Sequence, residues 1–347
     1  MSDQQSSYFD AVESPDLLAP DHEFRDFVWG VDYAIQYSQA CDPISKDVRF
    51  RIVDEAHFSC ANVVEEPKLI RISFSRSHLS ALLDIVRRLM AETVINDFLR
   101  FDEASDGSLQ DRDNLPAVLE WGIQHFVTAR RFSMAAAMYA TFHELAHVLN
   151  GHTRFLAVRY ARGEAVPALT RQTLEYDADC LAVRMLLTVT FESYRKQDRL
   201  FDMQLLDHQH AIRIALFCIY CSMHTNRFPY DLSGNALKSN HPSMSLRIGF
   251  ITGLIGGIVG DFGDKGLMPS VDMDVLLSQF FRVMEEFFVR EMSPTERFLL
   301  YENLDDIRDG EHRHYPLLHA RWAMIYEELT ALKMSSRDLS RPVVPPG

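Results

Sequence analysis

The chain has 347 residues, 47% hydrophobic and 24% charged, which allows a sizeable buried core and excludes wholesale disorder. Its 35 Lys and Arg face 49 Asp and Glu, a formal net charge of -14, and such a field repels nucleic-acid phosphates and anionic lipid surfaces. The five cysteines, Cys41, Cys60, Cys180, Cys218 and Cys221, are odd in number and widely spread; they offer no disulfide framework and suit a reducing compartment.

Residues 1–21 are polar and acidic, without a basic or an apolar signal region; they read as flexible, not as a secretion signal, and point to a cytoplasmic protein. Residues 24–41 carry apolar side chains at helical spacing. Residues 47–53 and 68–74 alternate and are rich in β-formers, so two strands are expected, the second as an edge strand. Residues 77–99 predict a helix with His78, Leu82, Ile85 and Leu89 on one side, and the acidic run 102–114 predicts a solvated loop.

Pro116 can open a helix toward Arg131, and Ser133 stands where an N-cap would start another, from Met134 to Asn150, stopped by Gly151. That second segment is apolar on nearly every face before its histidines, the mark of a central, buried helix. Further helices are expected from about Thr173 to Phe191, at 203–226, 271–290 and 315–333, with glycines and prolines clustered at 228–270. No stretch reaches the roughly 18 apolar residues that cross a bilayer; Phe250–Val259 comes nearest and is short and glycine-rich. The fold class expected is α+β, mostly α. It has a small sheet on the N-terminal side and one domain over 22–335: a core at about 47–250, a helical part at 271–335 and a flexible tail at 336–347.

The chemistry centres on His143-Glu144-Leu145-Ala146-His147. Positions i and i+4 share a helix face, so both imidazoles can converge on one tetrahedral zinc. Glu144 beside them can act as the base for a water on that zinc. A pair of solvent-facing histidines is the plainer alternative, but burying such groups without a partner in an apolar helix is expensive. A third ligand is needed. A metzincin would have glycine at 150 and histidine at 153, and this chain has Asn150 and Thr153. The segment Glu175-Tyr176-Asp177-Ala178-Asp179 places Glu175 and Asp179 one turn apart. Glu175 is the expected zinc ligand and Asp179 the brace behind a ligand histidine, with Asp177 a weaker ligand candidate. Tyr176 reads as a core aromatic before an oxyanion donor. The Cys218-x-x-Cys221 pair lies in an apolar helix and reads as packing, because a redox pair wants an exposed, electropositive helix start.

HELAHVLNGH followed by EYDAD resembles the gluzincin peptidases of the HtpX and CaaX prenyl protease family, which share HExxHxxxxH and ExxxD. The segment 58–83, in which an asparagine-alanine strand leads into a second strand and a helix, and SNHPSMSLRI at 239–248 are similar to that family as well, the order and spacing matching over about residues 56–250. Without membrane spans, the chain is closer in kind to the soluble phage-exclusion peptidases of the Lit type, which cleave a translation factor. The resemblance implies a zinc endopeptidase acting on an intracellular protein. Its metal ligands would be His143, His147 and Glu175 and its base Glu144. Asp179 and His152 would stand behind the ligands, and His241 and Arg247 would serve the reaction. His152 has the alternative of a cation at a helix C-terminus. His241 and Arg247 have the alternative of a turn and a salt bridge, and His314-Tyr315-Pro316 to Arg321 is a similar stretch. Two rival readings are a catalytically silent zinc module and an interaction scaffold with an accidental HEXXH. The expected partners are a peptide or protein substrate, with no nucleic acid and no membrane span.

Overall fold

The computed structural model describes residues 24–42, 44–53, 61–99, 117–196, 205–225, 244–291 and 314–334. The expectations for 1–21, 102–114, 336–347 and for His241 and Pro242 lie outside them. Among the described residues the chain is mostly helical with one small sheet. In chain order the elements are α1 (Arg25–Cys41), β1 (Asp47–Val53), β2 (Ala61–Glu65), β3 (Leu69–Ser75), α2 (Arg76–Met90), α3 (Thr93–Leu99), α4 (Ala117–Leu149), α5 (His152–Ala161), α6 (Ala168–Lys196), α7 (His208–Thr225), α8 (Met244–Asp264) and α9 (Met273–Glu291); a last helix, α10, spans 314–332.

The axis of the fold is α4. Its 33 residues run without a break through Ser133, where the sequence suggested a cap. Ser133 Oγ donates to the Ala129 carbonyl at 2.8 Å and Thr141 Oγ1 to the Ala137 carbonyl at 2.8 Å; each hydroxyl is satisfied one turn back, so neither has to end the helix. From Phe132 to Leu149 nearly every side chain is buried, because α4 packs against α1, α2, α6, α7 and β2. The approach of α1 is closest at Gly30, where a Cβ would stand 2.5 Å from the Met134 carbonyl oxygen.

The sheet has the order β1-β3-β2, with β1 parallel and β2 antiparallel to β3. The strand expected at the edge, β3, is therefore central, and β2 is an edge strand that packs on α4. Ser73 and Ser75 are buried at 2% and 1% exposure, so both faces of the second half of β3 are covered. The helix expected over 77–99 breaks into α2 and α3 at Ala91 and Glu92, and α2 buries His78, Leu82, Ile85 and Leu89 as its spacing predicts. Asp207 and Asp272 open α7 and α9 as side-chain caps, accepting from the His210 and Val275 amides at 2.7 and 3.0 Å.

Within the glycine-rich stretch 228–270 stands α8, a helix of 21 residues where irregular chain was expected. By length and composition it could cross a membrane, and 44% of its apolar window is buried. Leu246, Phe250, Ile251, Leu254, Ile255, Ile258 and Val259 all turn into the protein. Its open side is glycine: Cβ atoms at Gly253, Gly256, Gly260 and Gly263 would meet nothing within 4 Å. The α10 helix seats on α5 and α6 through a second apolar cluster of Phe155, Leu174, Trp322, Ile325 and Leu329.

Candidate active site

The helices α4 and α6 pack side by side and bring the two motif pairs together. His143 Nε2 and His147 Nε2 are 3.2 Å apart. The Glu175 carboxylate lies 3.3 Å from the first and 3.6 Å from the second. Two atoms held by one tetrahedral ion at about 2.0–2.2 Å must stand about 3.3–3.5 Å apart. The three side chains therefore show the spacing that a zinc ion would impose, and they form a group able to hold a metal. Glu144 follows His143 on α4 and is 9% exposed.

The electrostatics fit a cation at the same point. Burial works against a charged ring at His143, yet the Asp179 and Glu175 carboxylates outweigh it and push its pKa up to about 10. Burial carries His147 down to about 3, the pull of Glu175 being opposed by the rings of His143 and His152. The two carboxylates thus favour positive charge at His143. The same carboxylates would favour a divalent ion held by neutral imidazoles.

Behind His143 stands Asp179. Its Oδ1 lies 2.8 Å from His143 Nδ1, off the hydrogen-bond direction of that nitrogen, so the contact is chiefly electrostatic. Arg247 grips Asp179 with both arms, Nε to Oδ2 at 2.9 Å and Nη2 to Oδ1 at 2.6 Å, and the Tyr139 hydroxyl donates to Oδ1 at 2.9 Å. Burial raises the pKa of a carboxyl, but Arg247 and His143 hold Asp179 well below the usual range. Burial likewise opposes the Arg247 charge, and Asp179 fixes it. Of the two readings of Arg247, a group that serves the reaction or a salt bridge, the salt bridge with Asp179 is present.

Behind His147 stands His152, the first residue of α5. It is fully buried, with Nδ1 3.0 Å from His147 Nδ1 and Nε2 3.0 Å from Asp177 Oδ2. Asn150 Nδ2 donates to the same Asp177 oxygen at 2.7 Å and Trp322 Nε1 to Oδ1 at 3.2 Å. His152 thus stands at the start of a helix and inside the protein, and Asp177 lies behind the histidines, apart from the Glu175 group. Tyr176 is buried, its hydroxyl 3.1 Å from His319 Nε2 and its ring against Phe250, as a core aromatic should be. Cys218 and Cys221 are buried, and burial pushes both thiols up, which makes them packing residues. In the similar stretch near the end, the Tyr315 hydroxyl donates to the Leu246 carbonyl at 3.0 Å and Arg321 Nε to Thr170 Oγ1 at 2.7 Å; both are structural ties. A cavity of about 590 Å³ opens at the far end of α6, among Phe191, Tyr194, His208 and Phe262, and takes in none of the histidine–carboxylate cluster.

Sequence reasoning missed Tyr139, Asn150 and Trp322. Tyr139 sits four residues before His143 and so on the same helix face, a signal that was available. Asn150 entered only as a mismatch to another motif, and nothing local marks Trp322. Comparisons with curated proteins and with solved structures gave no match. The family model described as Peptidase U49 matches residues 79–256, just over half of the chain, a span that holds every residue of the cluster except Trp322. The chain belongs to the peptidase U49 family.

Proposed function

We propose that the chain is a zinc endopeptidase that hydrolyses peptide bonds of an intracellular protein. The observation that carries this reading is the convergence of His143 Nε2, His147 Nε2 and the Glu175 carboxylate at 3.2, 3.3 and 3.6 Å, in a chain of a peptidase family. His143, His147 and Glu175 would hold the ion. When bound, zinc supplies Lewis acidity: it lowers the pKa of a water toward about 7 and polarises a carbonyl. Glu144 takes the proton from the attacking water at its carboxylate and returns it to the leaving nitrogen. Asp179 and Arg247 keep His143 in place while this happens. An extended substrate would add to the sheet at β2, which lies at the edge and packs on α4, with backbone hydrogen bonds giving affinity. The free thiols of Cys41, Cys180, Cys218 and Cys221 agree with a reducing, intracellular site of action.

The test compares wild type with Glu144→Gln on the cell's own proteins, by terminal-peptide analysis, with zinc measured in both. Zinc should stay at about one per chain in both, and cleavage should fall at least about 10²–10⁴-fold. Equal cleavage would refute the catalytic role of Glu144. Zinc in both with cleavage in neither would favour the silent zinc module, which has no use for a buried glutamate at this position.

A further inference from the structure

We infer that Asp177 is a positioning residue for His147, acting through His152, and that α10 completes the brace through Trp322. The inference rests on the reading that His147 holds a metal through Nε2.

Helical geometry explains why a bridge is needed. Glu175 and Asp179 are one turn apart and point the same way, whereas Asp177 lies about 200° round the helix from Glu175. Asp179 stands 2.8 Å from His143 Nδ1. Asp177 faces away from the metal cluster, and the imidazole of His152 spans the gap, 3.0 Å to His147 on one side and 3.0 Å to Asp177 on the other.

Only one arrangement of protons serves a metal here. With Nε2 given to the ion, neutral His147 carries its proton on Nδ1 and donates it to His152. His152 Nδ1 is then the acceptor, so its proton is on Nε2 and is donated to Asp177 Oδ2. Asp177 accepts from His152, Asn150 and Trp322, three donors in a place that is 2% exposed. Every donor in the chain points toward Asp177. The relay therefore fixes the ring angle and tautomer of His147 and makes Nε2 a stronger donor to the ion.

The seat of this relay is built by the end of the chain. Gly151, at φ 81, lies so close to α10 that a Cβ would stand 2.8 Å from the Leu332 carbonyl carbon. Met334 N donates to the Leu149 carbonyl at 2.9 Å, and Arg154 Nη1 donates to the Leu332 carbonyl at 3.1 Å. The turn between His147 and His152 is thereby clamped by α10, which lies outside the stretch matched by the family model.

The experiment measures zinc affinity by chelator competition, the visible spectrum of the cobalt-substituted protein, and the thermal midpoint of the metal-free form. In Asp177→Asn the amide must turn its oxygen to His152 and its NH2 to Trp322, donor against donor. Zinc should bind about 10–100-fold more weakly, with a shifted cobalt spectrum. His152→Leu should do the same. His152→Gln, which can accept at one end and donate at the other, should stay close to wild type. Asp177→Asn placed in the His152→Leu background should add nothing further, since the relay is already cut. Trp322→Phe keeps the ring's packing and removes one donor; it should fall between, and it carries the test if Asp177→Asn fails to fold. Wild-type zinc affinity and cobalt spectrum in Asp177→Asn, His152→Leu and Trp322→Phe would overturn the relay and leave the metal site standing. Wild type that takes up no zinc would overturn both.

Discussion

Replacing Arg247 by Met tests whether that residue supports the site or takes part in the reaction. The Asp179 side chain is 1% exposed and that of Arg247 12%, and the two share hydrogen bonds of 2.6 and 2.9 Å. Met fills much of the arginine's volume but leaves the carboxylate with the Tyr139 hydroxyl and the edge of His143 alone. Removing one partner of a buried ion pair costs about 3–5 kcal/mol. The partial exposure of Arg247 lets some water in, so the lower end applies, about 3 kcal/mol, a factor of roughly 150 in the folding equilibrium. Zinc affinity should fall with it, about 10–100-fold, because Asp179 is no longer pinned behind His143. Arg247→Lys keeps the charge and loses the paired grip, so it should recover part of both. Urea denaturation and chelator competition on the purified variants read the two quantities. If Arg247→Met keeps wild-type stability and zinc affinity and loses only turnover, the guanidinium acts on substrate and the positioning argument is wrong.

Glu175→Ala should abolish tight zinc binding, whereas Asp179→Ala should weaken it about 10–100-fold; zinc retained by the first and released by the second would show the roles exchanged. Glu65, at the end of β2, accepts from Lys46, Thr153 and Arg154 at 2.6, 2.5 and 2.8 Å. Burial raises its pKa, but these donors win and hold it below the ordinary value. Its folded pKa being the lower one, its contribution is full above the unfolded value of about 4.3 and is lost as pH falls through the folded value. Glu65→Gln should therefore cost about 1–2 kcal/mol at pH 7 and progressively less below about pH 4; a gap in urea midpoint that widens in acid would contradict this. Gly151→Ala should cost about 1–3 kcal/mol, since it forces a Cβ into a left-handed turn and against the backbone of α10. Limited proteolysis should then release the C-terminal segment before the remainder is cut.

The parts of the fold legible in the sequence were those with a strong local period. The alternation of 47–53 and 68–74 marked β1 and β3, and the apolar run before His143 marked a buried α4. The place of β3 was not legible. It was expected at the edge, and whether a strand is central depends on partners that its own residues do not name. The five residues of β2 alternate too little to be found by period, and surfaced only through likeness to a family segment. In α8 the glycines argued for irregular chain, each lowering helix propensity by about 1 kcal/mol. They line the open side of the helix, and the buried face from Leu246 to Val259 supplies the packing that holds it.

The candidate site divides the same way. Two i, i+4 pairs, His143 with His147 and Glu175 with Asp179, can be read from spacing, because an ion needs donors on shared helix faces. Asp179 and His152 were legible behind those donors, but the groups that hold Asp179 and Asp177 in turn were not. A buried carboxylate needs several hydrogen-bond donors, and the fold supplies them from whichever helix passes: Arg247 lies 68 residues from Asp179, and Trp322 lies 145 residues from Asp177. The three acidic positions of α6 show how sequence and fold share the work. At alternate positions 175, 177 and 179, one carboxylate faces the cluster, one stands directly behind His143, and one points away until His152 turns its influence back toward His147. The motif names the atoms that could hold a metal, and the packing of α5, α8 and α10 around α4 and α6 decides whether those atoms are held still enough to use it.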